Sequence, residues 1–355
     1  MKKSLSTAYA VFNLIVLIAG FLLVFLFALQ AGVAETVECV CGLIVGIVFS
    51  PIIHELGHVS LAQAMNMDYV CVKMFCFRIF LKEGKKRFSF ASPFSPDETQ
   101  VIPKTGGDMQ KRAQAYTLGG LIFGGIFLTV LLTGAIVCTA FGATRYALWG
   151  AVPYAAYLFL LNVAPLEYAG GKTDMLVYVG LKKGFDAEKN MLAAMDIQGQ
   201  LYEGKSYAEI EPKRYFELPQ LCEDEPLFAL MLDLRYRYYL EKGELEKAAD
   251  QLNRLANSQV YLPDSEAEKI AAELVYMHSL LGDFEAAEEN GKLCREYLNS
   301  EAAAAKRILA AYSAAFGRKD AAEELISQAE EALRNERIVG VAKFERVLLS
   351  RIQTA

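Results

Sequence analysis

Four apolar runs constrain this chain more than anything else in it: residues 9–29, 37–65, 116–141 and 146–166. About 20 mostly apolar residues suffice to cross a bilayer as a helix. Backbone polar groups in hydrocarbon must be satisfied within the segment, and runs of this length do so as helices. From about residue 185 onward the chain changes character, becoming rich in Glu, Lys and Ala, as a water-facing helical region is. The pattern predicts a mainly α protein. A polytopic helical membrane domain of about four spans occupies 1–176, a helical connector 177–215, and a helical repeat region 216–355.

Lys2 and Lys3 precede the first run, and Gly32-Val33-Ala34 would serve as a cleavage site, so a signal peptide has to be weighed. The apolar run is too long for one, and the reading is a retained span. The short segment between the first two spans carries Glu35 and no Lys or Arg, whereas nine Lys and Arg lie between Lys73 and Arg112. Cytoplasmic loops carry the excess of basic residues. The N-terminus, the long middle loop and the C-terminal region are therefore expected in the cytoplasm, with the protein multi-pass in the plasma (inner) membrane and the lipid bilayer as its surroundings.

The second run ends in His54-Glu55-Leu56-Gly57-His58. Ionisable residues at membrane depth are costly and mark functional sites. On a helix, i and i+4 share a face, so both imidazoles can point at one metal, with the intervening Glu beside it. Zinc with three protein ligands keeps a fourth position for water and lowers that water's pKa to about 7, and Glu55 is placed to take its proton. A plainer reading, two histidines satisfied by hydrogen bonds inside a bundle, leaves Glu55 unexplained.

The third ligand has two candidates in Leu160–Met175, "LLNVAPLEYAGGKTDM". Asn162 and Pro165 break the helix as it nears the interface, and irregular backbone there is tolerated where it lines a cavity. Gly170 and Gly171 permit a tight turn, and Asp174 follows on the same membrane side as the histidines. Glu167 competes for the role. His278, the remaining histidine, lies far away in the polar half and reads as an ordinary helix residue. Gly171-Lys172-Thr173 is also the tail of a phosphate-binding loop, but that loop needs Gly at position 166, where Leu stands.

HELGH on a transmembrane helix, followed by Asn162-x-x-Pro165 and by Gly170-Gly171-Lys172-Thr173-Asp174, resembles the site-2 protease family of intramembrane zinc metalloproteases over roughly residues 37–176. The resemblance implies that His54, His58 and Asp174 bind zinc and that Glu55 is the catalytic base. Two positions depart from the family pattern. Met175 stands where Gly often follows the third ligand, and Gly119-Gly120-Leu121-Ile122-Phe123-Gly124 lacks the Pro and Asn of the family's Gly-Gly-Pro-x-x-Asn. A substrate-positioning role for that Asn would pass to Asn162. Gly42, Gly46, Gly120 and Gly124 read otherwise as small residues that let helices approach closely in the bilayer.

The middle loop predicts a small cytoplasmic β-hairpin. Tyr69–Phe80 is rich in aromatic and β-branched residues and alternates in part, and "KKRFSFAS" follows Glu83-Gly84, a turn signal. Such a hairpin either sits at the interface or adds a strand to an unwound substrate. The seven cysteines have no framework spacing and read as free thiols, Cys71 and Cys76 as packing residues.

In the polar half, "YRYYLEKGELEKAADQL", "VYMHSLLGDFEAAEENG" and "AYSAAFGRKDAAEELIS" share an aromatic helix, a Gly turn and an acidic-alanine helix. Gly243, Gly282 and Gly317 are spaced by 39 and 35 residues, close to the period of tetratricopeptide repeats, which this region resembles. About three repeats would make an α-solenoid with a surface for a protein partner. A net charge of −6 without a basic stripe argues against a nucleic-acid partner. The expected function is an intramembrane zinc endopeptidase acting on a transmembrane or membrane-associated peptide. The alternative is an inactive membrane-anchored adaptor that recruits a partner through its repeats. A transporter would need more spans or an inverted repeat.

Overall fold

Hydropathy and helix geometry account for the first half of the computed structural model, which describes residues 2–82, 85–93, 95, 98–143, 145–168, 171–258 and 264–353. Four helices are long and apolar enough to cross a membrane: α1 (Lys2–Ala31), α2 (Val33–Ala64), α3 (Met109–Ala140) and α4 (Tyr146–Val163). α1 leaves Phe12, Ile15, Ile18 and Leu22 exposed, as lipid-facing side chains are. α3 starts well before the expected 116, because Asp108 caps it by accepting from the Lys111 amide. α4 ends at Val163, two residues before Pro165, where the sequence places the break.

The chain divides into two compact units. The first comprises Met1–Leu81, Lys86–Ile102 and Asp108–Phe185, and the second Lys82–Lys85, Pro103–Gly107 and Asp186–Ala355. The region expected as a connector, 177–215, is shared between them.

In the first unit α2 packs against both α3 and α4. Small residues set the spacing. A Cβ on Gly42 would come within 2.0 Å of the Ala147 carbonyl oxygen on α4, and one on Gly57 within 2.2 Å of Gly119 O on α3. Backbones this close exclude any larger residue, the general device of helix association in bilayers.

Between α2 and α3 lies a four-stranded sheet in the order β3-β2-β1-β4, formed by β1 (Met67–Met74), β2 (Phe77–Lys82), β3 (Lys85–Phe90) and β4 (Glu98–Pro103). The expected single hairpin is thus larger. Tyr69–Phe80, read as one arm, is folded back on itself: β1 and β2 pair antiparallel with Cys71 opposite Phe80 and Met74 opposite Phe77. Phe75 makes the turn with φ +54°, a left-handed conformation that a bulky residue adopts only where context imposes it. The Glu83-Gly84 turn lies outside the described residues. All seven cysteines are free, Cys71 accepting from the Arg78 side chain. After α4 come the two-residue strands β5 (Glu167–Tyr168) and β6 (Gly171–Lys172), then α5 (Asp174–Lys183).

The second unit contains α6 (Asp186–Tyr202), α7 (Lys213–Phe216), α8 (Pro226–Lys242), α9 (Leu245–Asn257), α10 (Asp264–Leu281), α11 (Phe284–Leu293), α12 (Arg295–Leu298), α13 (Ala303–Ala315), α14 (Lys319–Leu333) and α15 (Val339–Gln353). Three helical hairpins, α8–α9, α10–α11 and α13–α14, turn at Gly243, Gly282 and Gly317, with φ of +78°, +77° and +70°. The left-handed conformation that ends each first helix is one only glycine adopts at no steric cost. α6 belongs to this core through Ala194, Ile197 and Leu201. Arg307 of α13, fully buried, ties three helices together. Its Nε donates to Glu345 Oε2 of α15 at 2.7 Å and its Nη2 to Glu273 Oε1 of α10 at 2.6 Å, while the guanidinium lies 4.2 Å from the centre of the Tyr276 ring. A buried charge is sustained only with partners of this kind.

Candidate metal centre

Helical periodicity puts His54 and His58 one turn apart on the same face of α2, and the packing of α3 over that face buries them, at 7% and 5% exposure. Their Nε2 atoms lie 3.3 Å apart. Asp174, distant in the sequence, brings its Oδ2 to 3.1 Å from His54 Nε2 and 3.3 Å from His58 Nε2. The three residues form a cluster able to hold a metal ion.

The arrangement of protons decides what this cluster suits. His58 Nδ1 lies 2.9 Å from the Tyr116 carbonyl oxygen. A carbonyl only accepts, so Nδ1 carries a hydrogen, and in the neutral ring Nε2 is the nitrogen left to offer a lone pair toward His54 and Asp174. Asp174 Oδ2 is buried, with the two imidazole nitrogens as its near contacts. An ionised carboxylate oxygen is an acceptor only. Acceptors gathered this closely need a positive charge among them, a shared proton or a metal cation. Zinc bonds of about 2.0–2.1 Å at tetrahedral angles separate ligand atoms by about 3.3–3.4 Å, close to the spacing found here. Two imidazole nitrogens and one carboxylate oxygen are also a donor set that zinc takes.

Gly120 of α3 leaves the room. A Cβ there would lie 2.5 Å from both His54 Cε1 and His58 Nε2. This glycine serves the histidine pair, not helix–helix contact as expected; Gly42 and Gly46 do pack against α4, and Gly124 is in ordinary contact only.

Asp174 is aimed by its predecessor. Thr173, buried, caps α5 by accepting from the Leu176 amide, and its hydroxyl donates to Ala164 O at 2.7 Å. Leu166 N also donates to the Thr173 oxygen at 3.2 Å. The start of α5 is thereby fastened to the end of α4. Gly171, with φ +126°, opens β6 in a conformation that favours glycine, and Gly170 lies outside the described residues. Glu167, the competing ligand, is exposed and stands opposite Lys172 in the β5–β6 pair, so it does not join the cluster. The Asn162 amide donates to Leu158 O of its own helix. His278 lies 3.4 Å from Asp283 in the second unit.

Glu55, 6% exposed, accepts from the Thr99 hydroxyl of β4 at 2.6 Å. The Tyr116 hydroxyl in turn donates to the Thr99 carbonyl. Thr99, Tyr116, Thr173 and Gly120 all escaped the sequence reading as site residues. Thr99 lies in a strand that carries no strand signal, and only Thr173, flanking the candidate ligand, had a local cue as a helix cap. No family model, curated protein or solved structure matches the chain.

Proposed function

We propose that this chain is an intramembrane zinc endopeptidase of the site-2 protease kind. The observation that carries the reading is the convergence of Asp174 on His54 and His58, with the buried Glu55 next in the chain to a ligand. Zinc bound there would supply a Lewis acid that acidifies water and polarises the scissile carbonyl. His54, His58 and Asp174 would hold it. Glu55 takes the proton of the attacking water and returns it to the leaving amine, the general base becoming the general acid. The buried surroundings keep bulk water from the reacting groups.

The basic loop residues between Lys73 and Arg112 support a cytoplasmic placement of the middle loop, the N-terminus and the second unit, and so cleavage near the cytoplasmic face. The substrate is then a transmembrane or membrane-associated peptide, with Asn162 the candidate for holding its backbone. The three helical hairpins support reading the second unit as a tetratricopeptide-like solenoid that receives a protein partner.

Purified wild-type protein is expected to hold about one zinc per chain, and His54→Ala with His58→Ala to lose it. Glu55→Gln is expected to keep the zinc while membrane peptides that wild-type cells cleave accumulate. Zinc retained by the double histidine variant would remove the site. Zinc lost as expected, but an identical membrane proteome in Glu55→Gln cells, would favour the adaptor reading.

A further inference from the structure

The Glu55 side chain needs a fixed direction to act as a base. Position 55 is held from outside the helix, by Thr99 Oγ1 at 2.6 Å from Oε2. We propose that Thr99 is a positioning residue for Glu55. It rests on the reading of Glu55 as general base.

Three features argue for it. A threonine hydroxyl facing a carboxylate is the donor, and an O–H···O⁻ bond of this length is short and charge-assisted, stronger than a neutral one. The bond engages Oε2, so it restrains the carboxylate while lone pairs remain for a second hydrogen bond. Threonine is branched at Cβ, which limits its χ1, and Thr99 is buried, so the hydroxyl is delivered along a restricted direction.

Thr99 is itself held. The Tyr116 hydroxyl donates to the Thr99 carbonyl, and the Tyr116 carbonyl faces His58 Nδ1 at 2.9 Å. One hydrogen-bonded path thus runs from a ligand histidine through Tyr116 and Thr99 to the base. Its members come from α2, α3 and β4. A path of this form fixes the base relative to the ligand, which is what proton transfer at a fixed point requires.

The test uses full-length protein in detergent, with zinc content, fluorescein-labelled casein as the probe substrate, and the visible spectrum of the cobalt(II)-loaded form. Thr99→Val keeps the shape and removes the donor; Thr99→Ser keeps the donor. Thr99→Val is expected to keep its zinc and its KM and to lose about 10- to 100-fold in kcat. Thr99→Ser is expected to recover most of that loss. In the cobalt form, the freed Glu55 carboxylate of Thr99→Val should shift the absorption bands. Thr99→Ser should match the wild type, and adding Thr99→Val to Glu55→Gln should change nothing further.

Wild-type kcat and an unshifted cobalt spectrum in Thr99→Val would overturn the proposal. So would Thr99→Ser failing as badly as Thr99→Val with loss of metal, since that marks a role in folding. If casein is not cleaved by any form, the cobalt comparison alone decides. A wild-type protein that takes up neither zinc nor cobalt would sink the function reading and this proposal with it, a result distinct from either of the others.

Discussion

Gly120 and Gly124 stand one helical turn apart on α3, and the structure gives them opposite prospects. A Cβ at Gly120 would come within 2.5 Å of His54 Cε1 and His58 Nε2, whereas one at Gly124 would sit 3.8 Å from His54 Nδ1. Contact below 3 Å forces the imidazoles aside, and 3.8 Å is ordinary packing. Gly120→Ala is therefore expected to fold and reach the membrane yet lose most of its zinc, and Gly124→Ala to keep it, both read by metal analysis of purified protein. Equal zinc in the two would mean that the histidines sit elsewhere than described. At this scale the sequence was partly transparent. His54, Glu55 and His58 announce themselves because their geometry follows from helix periodicity alone. Gly120 looked like any small residue of a packed helix, since what it faces depends on how α3 is rotated, and spacing does not record rotation. Thr99 was opaque for the same kind of reason: its bond to Glu55 joins residues 44 apart in sequence, through a contact between a strand and a helix.

Elements were legible where the physics is local. The four apolar runs became four helices, because hydrophobic length alone sets that outcome. The Gly turns of the second unit fell at the expected residues, because left-handed helix ends select glycine. The sheet was half hidden. Its first turn is made by Phe75 and Cys76, which carry no turn chemistry, so Tyr69–Phe80 read as one strand. The start of α5 is an element boundary with a consequence for the site, since Asp174 occupies its first turn. Thr173→Val removes the N-cap and the tie to Ala164 O. Losing a cap costs about 1 kcal/mol, too little to unfold four packed spans but enough to let the ligand wander. Thr173→Val is expected to bind zinc about tenfold more weakly in a competition titration with a chelator, with its unfolding temperature nearly unchanged. Thr173→Ser should behave as the wild type. An undiminished affinity in Thr173→Val would show that Asp174 is placed by something other than its own helix cap.

On the scale of the whole molecule, the proposed function would divide chemistry and recruitment between the two units. His54, Glu55, His58, Thr99, Tyr116 and Asp174 all fall in the first unit, and the three helical hairpins in the second. The boundary at Phe185 and Asp186 follows directly on α5 and its glycine cap at Gly184, where φ is +69°. A chain ending at Phe185 keeps every proposed ligand, the base and the residues that orient them. It is expected to hold zinc in the wild-type ratio and to cleave labelled casein at a rate within a few-fold of the full chain. Turnover of its membrane substrate in cells should fall further, because a tethered recruiting domain acts by raising local concentration and adds nothing to the bond-breaking step. The comparison of the two rates carries the test. Loss of zinc together with both activities would show that the second unit supports the fold of the first. Unchanged turnover in cells, read from the same membrane proteome as Glu55→Gln, would detach the helical hairpins from proteolysis and assign their partner to a separate task.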